Sequence, residues 1–237
     1  SKDNIFSIGH FENWNYIKDK INNQDLYYRN NKLVFDIQLD KSSRQIIENV
    51  ENGSRLVKEI CDVNRGVHAY RKDGYGESRF GEGFQTERDY LEKSYHSNIK
   101  KDKTYHPEVR GKNIFPYYFE LSEVYVSWGK WLAEPREWEY FTGERIYLRK
   151  IVGTTLFASY VDNINVADQS VYIAKVKDRF YDTKYLLVLL NSKLITWYFR
   201  VKANEFDDLF PQIKVTEFKE LPIKKSSNQI PFISTAD

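Results

Sequence analysis

The sequence predicts an α+β fold, rich in strand, with a long amphipathic helix at about residues 182–201 and short helices flanking it. Two observations carry this. Residues 145–152, 154–161 and 170–176 form three β-branched, aromatic-rich runs, bounded by Gly153 and by Asp162-Asn-Ile-Asn165. That pattern reads as a β-meander. From Asp182 the period changes. Apolar residues at 186, 189, 190, 194, 197, 198 and 201 follow the i, i+3, i+4 spacing of one helical face, with Asp182 or Thr183 as cap. That face is assigned to the core.

The remaining elements follow from shorter signals. Residues 33–39 alternate in part and read as a strand. A helix is expected from Ser42, with a serine cap ahead of Ile46, Ile47 and Val50, ending at Gly53. Another short helix is expected from Thr216, stopping before Leu221-Pro222 because proline disfavours helix in its predecessor. The organisation read from these is a lobe or linker at 1–60, a main domain at 61–225, and a lead-in to a further helix at 226–237.

Composition narrows the class. Hydrophobic residues make up 41% and charged residues 30% of 237, enough apolar content for a packed core and against disorder. Aromatics reach 16%; tyrosine-rich chains suit polar, wet interfaces, and an AT-rich genome would give the same excess. The net charge is only +2, but it is unevenly placed: six basic against two acidic residues over 93–112, and four basic with no acid over 184–202. The single cysteine, Cys61, excludes an intrachain disulfide and fits a reducing, cytoplasmic setting. No apolar run approaches the ~20 residues a bilayer requires, so no membrane partner is expected. Methionine is absent, including from position 1, and the chain is expected to begin inside a longer protein.

Catalytic patterns are missing. There is no Asn-Pro-Pro-Tyr-type turn of the kind that holds a flipped adenine. The glycines of 66–83 lack the flanking strand and helix of a nucleotide-binding turn. One Cys and four scattered His (His10, His68, His96, His106) make no standard zinc site. Asp207, Asp208, Glu217 and Lys219 imitate a magnesium nuclease site, yet Glu217 and Lys219 fall two apart on the expected short helix, where side chains diverge. Cys61 and His106 could pair as nucleophile and base only by tertiary accident.

The C-terminal half carries a run of motifs in order: Arg110-Gly-Lys-Asn-Ile114, Arg145-Ile-Tyr-Leu-Arg-Lys150, Ala167-Asp-Gln-Ser-Val-Tyr-Ile173, Tyr185-Leu-Leu-Val-Leu-Leu-Asn-Ser-Lys-Leu194, and Leu209-Phe-Pro-Gln-Ile-Lys-Val-Thr-Glu-Phe-Lys-Glu-Leu-Pro222. Over residues 108–233 this resembles the TaqI-like C-terminal specificity domain of adenine-N6 DNA methyltransferases and fused type IIG restriction–modification enzymes. The resemblance implies a non-catalytic module that reads duplex DNA. Its expected partner is a methyltransferase domain of the same chain on the N-terminal side. The fragment itself would need no cofactor; the parent would use S-adenosylmethionine, and Mg²⁺ if an endonuclease is fused.

Base reading needs Arg, Lys, Asn or Gln delivered into the major groove, and phosphate contacts set register. The candidates are Arg71, Lys72 and Arg79 in the glycine-rich stretch 65–83, Lys101, Lys103 and Lys112 around Arg110, Arg149 and Lys150 at a strand end, and Gln169. That stretch holds five of the eleven glycines and reads either as a mobile surface loop or as one that approaches DNA closely. Trp128, Lys130, Trp131, Arg136 and Trp138 form an aromatic–basic cluster for which core packing is favoured over DNA contact. A protein-interaction module and a magnesium-dependent nuclease lobe are the competing readings.

Overall fold

The computed structural model describes residues 5–23, 39–203 and 211–234. The chain forms two compact units, Ser1–Gly53 and Ser54–Asp237.

In the first unit, β1 (Ile5–Glu12) and β2 (Asn15–Asn23) form an antiparallel hairpin. Its two-residue turn puts Asn13 and Trp14 at φ 49° and 67°, the backbone twist that a tight hairpin demands. Helix α1 (Lys41–Glu51) is capped not by a serine but by Asp40, whose carboxylate accepts from the Ser43 amide at 2.7 Å. Aspartate two residues earlier starts the helix ahead of Ser42, because its charged oxygen satisfies an orphan amide more strongly than a hydroxyl does. Gly53 follows the helix at φ 68°. The strand expected at 33–39 lies outside the described residues apart from Leu39, which is not in a strand.

The second unit opens with β3 (Ser54–Leu56), α2 (Val57–Ile60) and β4 (Cys61–Arg65). After the glycine-rich stretch come α3 (Glu87–Glu92), β5 (His96–Ser97), β6 (Tyr105–Val109) and β7 (Tyr125–Ser127). Then follow β8 (Arg145–Arg149), β9 (Ala158–Val161), β10 (Val166–Ala167) and β11 (Val171–Val176). Helices α4 (Thr183–Leu190), α5 (Lys193–Ala203) and α6 (Val215–Lys219), strand β12 (Pro222–Lys224) and α7 (Ile230–Ile233) complete it.

Two four-stranded sheets result, in the orders β10-β6-β7-β5 and β4-β11-β8-β9, with a small β12-β3 sheet beside them. The expected meander is corrected here. Strands β8 and β9 are neighbours, but β11 crosses to the far side of β8 and lies between β8 and β4. One core draws Val109 and Val126 from the first sheet and Tyr147, Val161, Val171 and Ile173 from the second. Ile146, Leu148 and Tyr172, on the alternate face, are also buried, and Tyr172 stacks on Phe218 of α6. Coverage of both faces explains why these strands read as continuous apolar runs rather than strict alternation.

The long helix is broken in two. Asp182 does cap α4, accepting from the Lys184 amide at 2.7 Å. At Asn191 the chain turns, and the Ser192 hydroxyl accepts from the Ile195 amide at 3.1 Å to start α5. The break rotates the second half, so Ile195, Tyr198 and Phe199 are buried while Leu194, assigned to the core from its spacing, is 49% exposed. Helix α6 ends at Lys219 ahead of Leu221-Pro222, as its sequence implies.

Candidate nucleic-acid interface

Five backbone amides converge around the turn Asp168-Gln169-Ser170, which links β10 to β11. Val67 donates to the Ala167 carbonyl at 2.8 Å, Asp168 to Val109 at 2.9 Å, Lys150 to Ser170 at 3.0 Å and Gly66 to Val171 at 2.9 Å. The Gly111 amide donates to the Ser170 hydroxyl at 2.7 Å. A side chain at Gly66 would collide with the Asp168 carbonyl, its Cβ falling 2.1 Å away, so glycine there is required by close approach. The turn is itself an Asx turn: the Asp168 carboxylate accepts from the Ser170 amide at 2.9 Å and from the Ser170 hydroxyl. Four distant segments thus meet at one place, and Gln169 is left exposed at its tip.

Beside this turn lies a pocket of about 230 Å³ whose wall includes His68, Tyr90, Lys93, Arg110, Asp168 and Gln169. Beneath it runs a buried relay. The Tyr95 amide donates to the Tyr70 hydroxyl at 2.8 Å, which lies 2.7 Å from His96 Nδ1. His96 Nε2 is 3.0 Å from Glu108 Oε1, and Glu108 Oε2 accepts from Arg110 Nε at 2.6 Å and Nη2 at 2.5 Å. Burial alone would raise the Glu108 carboxyl; its bond to His96 and the Arg110 charge prevail and hold it below the usual range. At Asp168 burial prevails over the bonds from Ser170 and the Arg110 charge, and its carboxyl is raised.

The glycine-rich stretch is pinned rather than loose. Gln85 Nε2 donates to the Ala69 and Trp131 carbonyls, both at 2.9 Å, while its oxygen accepts from the Arg71 amide at 3.0 Å. Asp89, buried, accepts from the Ser78 and Ser94 hydroxyls and from the Arg79 and Thr86 amides at 2.8–3.0 Å. Burial works to raise its carboxyl, and these donors together bring it down to about 2.

The candidate cations fall into three sets. Arg71 is held by Asp73 and Glu134 and covers the Tyr75 ring at 4.0 Å, and Lys72 pairs with Glu87 at 2.6 Å. Arg79 reaches the Tyr105 hydroxyl at 3.1 Å, with Lys101 5.8 Å from the same ring and Lys103 exposed nearby in sequence. At the other end of β6, roughly 16 Å along extended chain, Ser170, next to Gln169, meets Gly111, the neighbour of Lys112, and the amide of Lys150 itself. Arg149 sits 5.6 Å from the Phe157 ring. Lys101, Lys103, Lys112, Arg149 and Lys150 have no acidic partner among the described residues. Sequence reasoning passed over Arg110 and Lys93 as site residues. The first was legible, since Glu108 and Arg110 lie two apart at a strand end and share a face; the second depends on a tertiary pocket.

Rival chemistry is not supported by geometry. Glu217 is spent on its own helix, accepting from the Lys214 amide at 2.7 Å, and Asp207 and Asp208 lie outside the described residues. No group of three metal-ligating side chains occurs among the described residues. Cys61 is buried, which pushes its thiol up to about 12, while His106 packs on Trp138 at 4.7 Å. Trp128, Trp131 and Trp138 pack against the core, the first two donating to the Pro135 and Ser127 carbonyls; Arg136 pairs with Glu134, and Lys130 is exposed. No helix among the described residues is long and apolar enough to cross a membrane.

Comparison with known proteins places the fold. The TaqI-like C-terminal specificity domain matches residues 106–223. Among solved structures, the type IIG restriction endonuclease BpuSI aligns with TM-score 0.55 at 10% identity, over 92% of this chain and 30% of that one. A type I restriction–modification S subunit from M. genitalium aligns at TM-score 0.40 and 15% identity, over 77% and 36%. The HsdS subunit from Thermoanaerobacter tengcongensis aligns at 0.40 and 12%, over 82% and 41%. The chain therefore spans less than half the length of each of these. No curated protein matches it. On the family match, with the mixed α+β fold shared with BpuSI, residues 106–223 within the second unit belong to the TaqI-like C-terminal specificity domain family.

Proposed function

We propose that this chain is the DNA target-recognition element of a bacterial restriction–modification enzyme, with no bond-making role of its own. The observation that carries the reading is the Asp168–Ser170 hub within the family-matched region, where exposed Gln169 adjoins the residue that bonds Gly111, next to Lys112, and the Lys150 amide. Glutamine offers the donor–acceptor pair that reads an adenine edge, worth ~1–3 kcal/mol of discrimination. The unpaired lysines fix register through phosphates. Lys101, Lys103 and Arg79 at the other end of β6 extend the same track, and Arg71 and Lys72 join it by exchanging exposed ion pairs, which are worth little. In this reading a separate adenine-N6 methyltransferase domain of the same cytoplasmic protein transfers the methyl group from S-adenosylmethionine, and Mg²⁺ serves only if an endonuclease is fused.

The test is selection of duplexes from a randomised pool by the 237-residue chain, followed by titration of the enriched duplex at several salt concentrations. An enriched motif containing adenine, bound with steeply salt-dependent affinity, is expected. Binding without salt dependence, or no enrichment over the starting pool, overturns the reading.

A further inference from the structure

The pocket beside the Asp168 turn has features that reading a base edge does not call for. Its Arg110 guanidinium is oriented by a carboxylate that is itself buried, Glu108 being 3% exposed. Glu108 occupies Nε and one side of Nη2. The Nη1–Nη2 end of the fork is left over, and this end can donate two parallel N–H bonds to a pair of oxygens. Lys93 lies on the same wall. It follows α3 in the left-handed region, at φ 47° and ψ 52°, where glycine is the residue at ease. A lysine stands there despite the strain, and its ammonium has no acidic partner among the described residues. His68 adds an imidazole to the wall, its Nδ1 3.8 Å from Glu134.

Concavity selects among DNA groups. Base edges form the floor of a groove and are reached by side chains that protrude, whereas backbone phosphates are the outermost groups of the duplex and fit a hollow. We propose that this pocket seats one backbone phosphodiester of duplex DNA, with the free end of the Arg110 fork on its non-bridging oxygens and Lys93 as the second cation. The Asp168 carboxylate, also on the wall, is turned to Ser170 through its Oδ1. Glu108, His96 and Tyr70 act as positioning residues that hold Arg110. The proposal rests on the DNA-reading function above, and adds to it a fixed, sequence-independent anchor near the reading residue Gln169.

The experiment compares the unaltered chain with Lys93→Gly, a substitution that relieves backbone strain while removing the charge. A set of duplexes carrying single methylphosphonates, each neutralising one phosphate, is titrated against both. Expected are an unchanged or higher Tm for Lys93→Gly, a log–log salt slope smaller by about 0.9, and roughly 5–10-fold weaker binding at 0.1 M salt. The loss should be alike for every duplex sequence. One methylphosphonate position should weaken the unaltered chain most, and weaken the variant, in which Arg110 alone remains on that phosphate, by clearly less. Arg110→Lys, which keeps a cation against Glu108 but loses the fork, should likewise show a reduced effect at that same position. An unchanged slope in Lys93→Gly, or a loss confined to duplexes with one particular base, overturns the phosphate seat while leaving DNA reading intact. Absence of salt-dependent duplex binding by the unaltered chain overturns both.

Discussion

Asn191 and Ala158 exchange two hydrogen bonds: the Ala158 amide donates to Asn191 Oδ1 at 3.0 Å, and Asn191 Nδ2 donates to the Ala158 carbonyl at 2.9 Å. The side-chain amide imitates one rung of a β-ladder, fastening the break between α4 and α5 to the start of β9. Replacing Asn191 by Ala leaves the Ala158 amide buried without that partner, at ~1–3 kcal/mol, while the Ala158 carbonyl keeps the Tyr117 amide at 2.7 Å. A loss of about 1–3 kcal/mol is expected, read as a shift in the midpoint of urea unfolding. A change under ~0.5 kcal/mol would mean that water restores the contact.

The same site tests the reading residue. Gln169→Ala removes an exposed side chain that plays no part in the backbone bonds of its turn, so stability should hold within ~0.5 kcal/mol. Preference for adenine at one position of the enriched duplex should fall about 5–150-fold, the range of a single bidentate contact. Uniform weakening over all sequences would reassign Gln169 to the backbone.

Lys112→Ala with Lys150→Ala should behave in the opposite manner. Both cations lack an acidic partner among the described residues, so their removal should lower the salt slope by about 1.8 without altering the enriched motif. A changed motif with the slope intact would show that they touch bases.

Asp89 sets an acid limit on the glycine-rich stretch. Its folded carboxyl lies at about 2, against 3.8 for an ordinary aspartate. The stabilisation is therefore complete above pH 3.8 and is lost as pH falls toward 2. Asp89→Asn should destabilise the chain at neutral pH and flatten its stability profile between pH 4 and 2. Parallel profiles for the two proteins would remove Asp89 from the role of hub.

Cys61 is buried, and burial pushes its thiol up to about 12. It should react with a disulfide reagent only in step with unfolding. Fast, stoichiometric modification at pH 8 in buffer without denaturant would contradict the burial.

What the sequence conveyed and what it hid divide along physical lines. Local chemistry was legible: Asp182 as a cap, proline ending α6, and the β-branched runs all express backbone preferences that act within a few residues. The break at Asn191 was not, because asparagine and serine inside a periodic apolar stretch look like tolerated helix residues until the strand edge that claims Asn191 is known. The position of β11 beyond β8 was hidden for the same reason, since strand order is a matter of tertiary pairing. In the interface, residue type singled out Gln169, Lys112 and Lys150 but could not show that one turn gathers them. Nor could it show that Arg71 and Lys72 are engaged by Asp73, Glu134 and Glu87, carboxylates up to 63 positions away.

Gln85 closes the glycine-rich excursion at both mouths, gripping Ala69 and Arg71 where the chain departs and Trp131 on the scaffold alongside. Between Lys72 and Phe84 the segment is tied down again, through Arg79 to the Tyr105 hydroxyl of β6, through the Glu77 amide to the Trp131 carbonyl and through Ser78 to Asp89. A replacement transplanted from a relative would therefore have to bring its own partners for Asp89 and Tyr105, or the scaffold would lose bonds together with the loop.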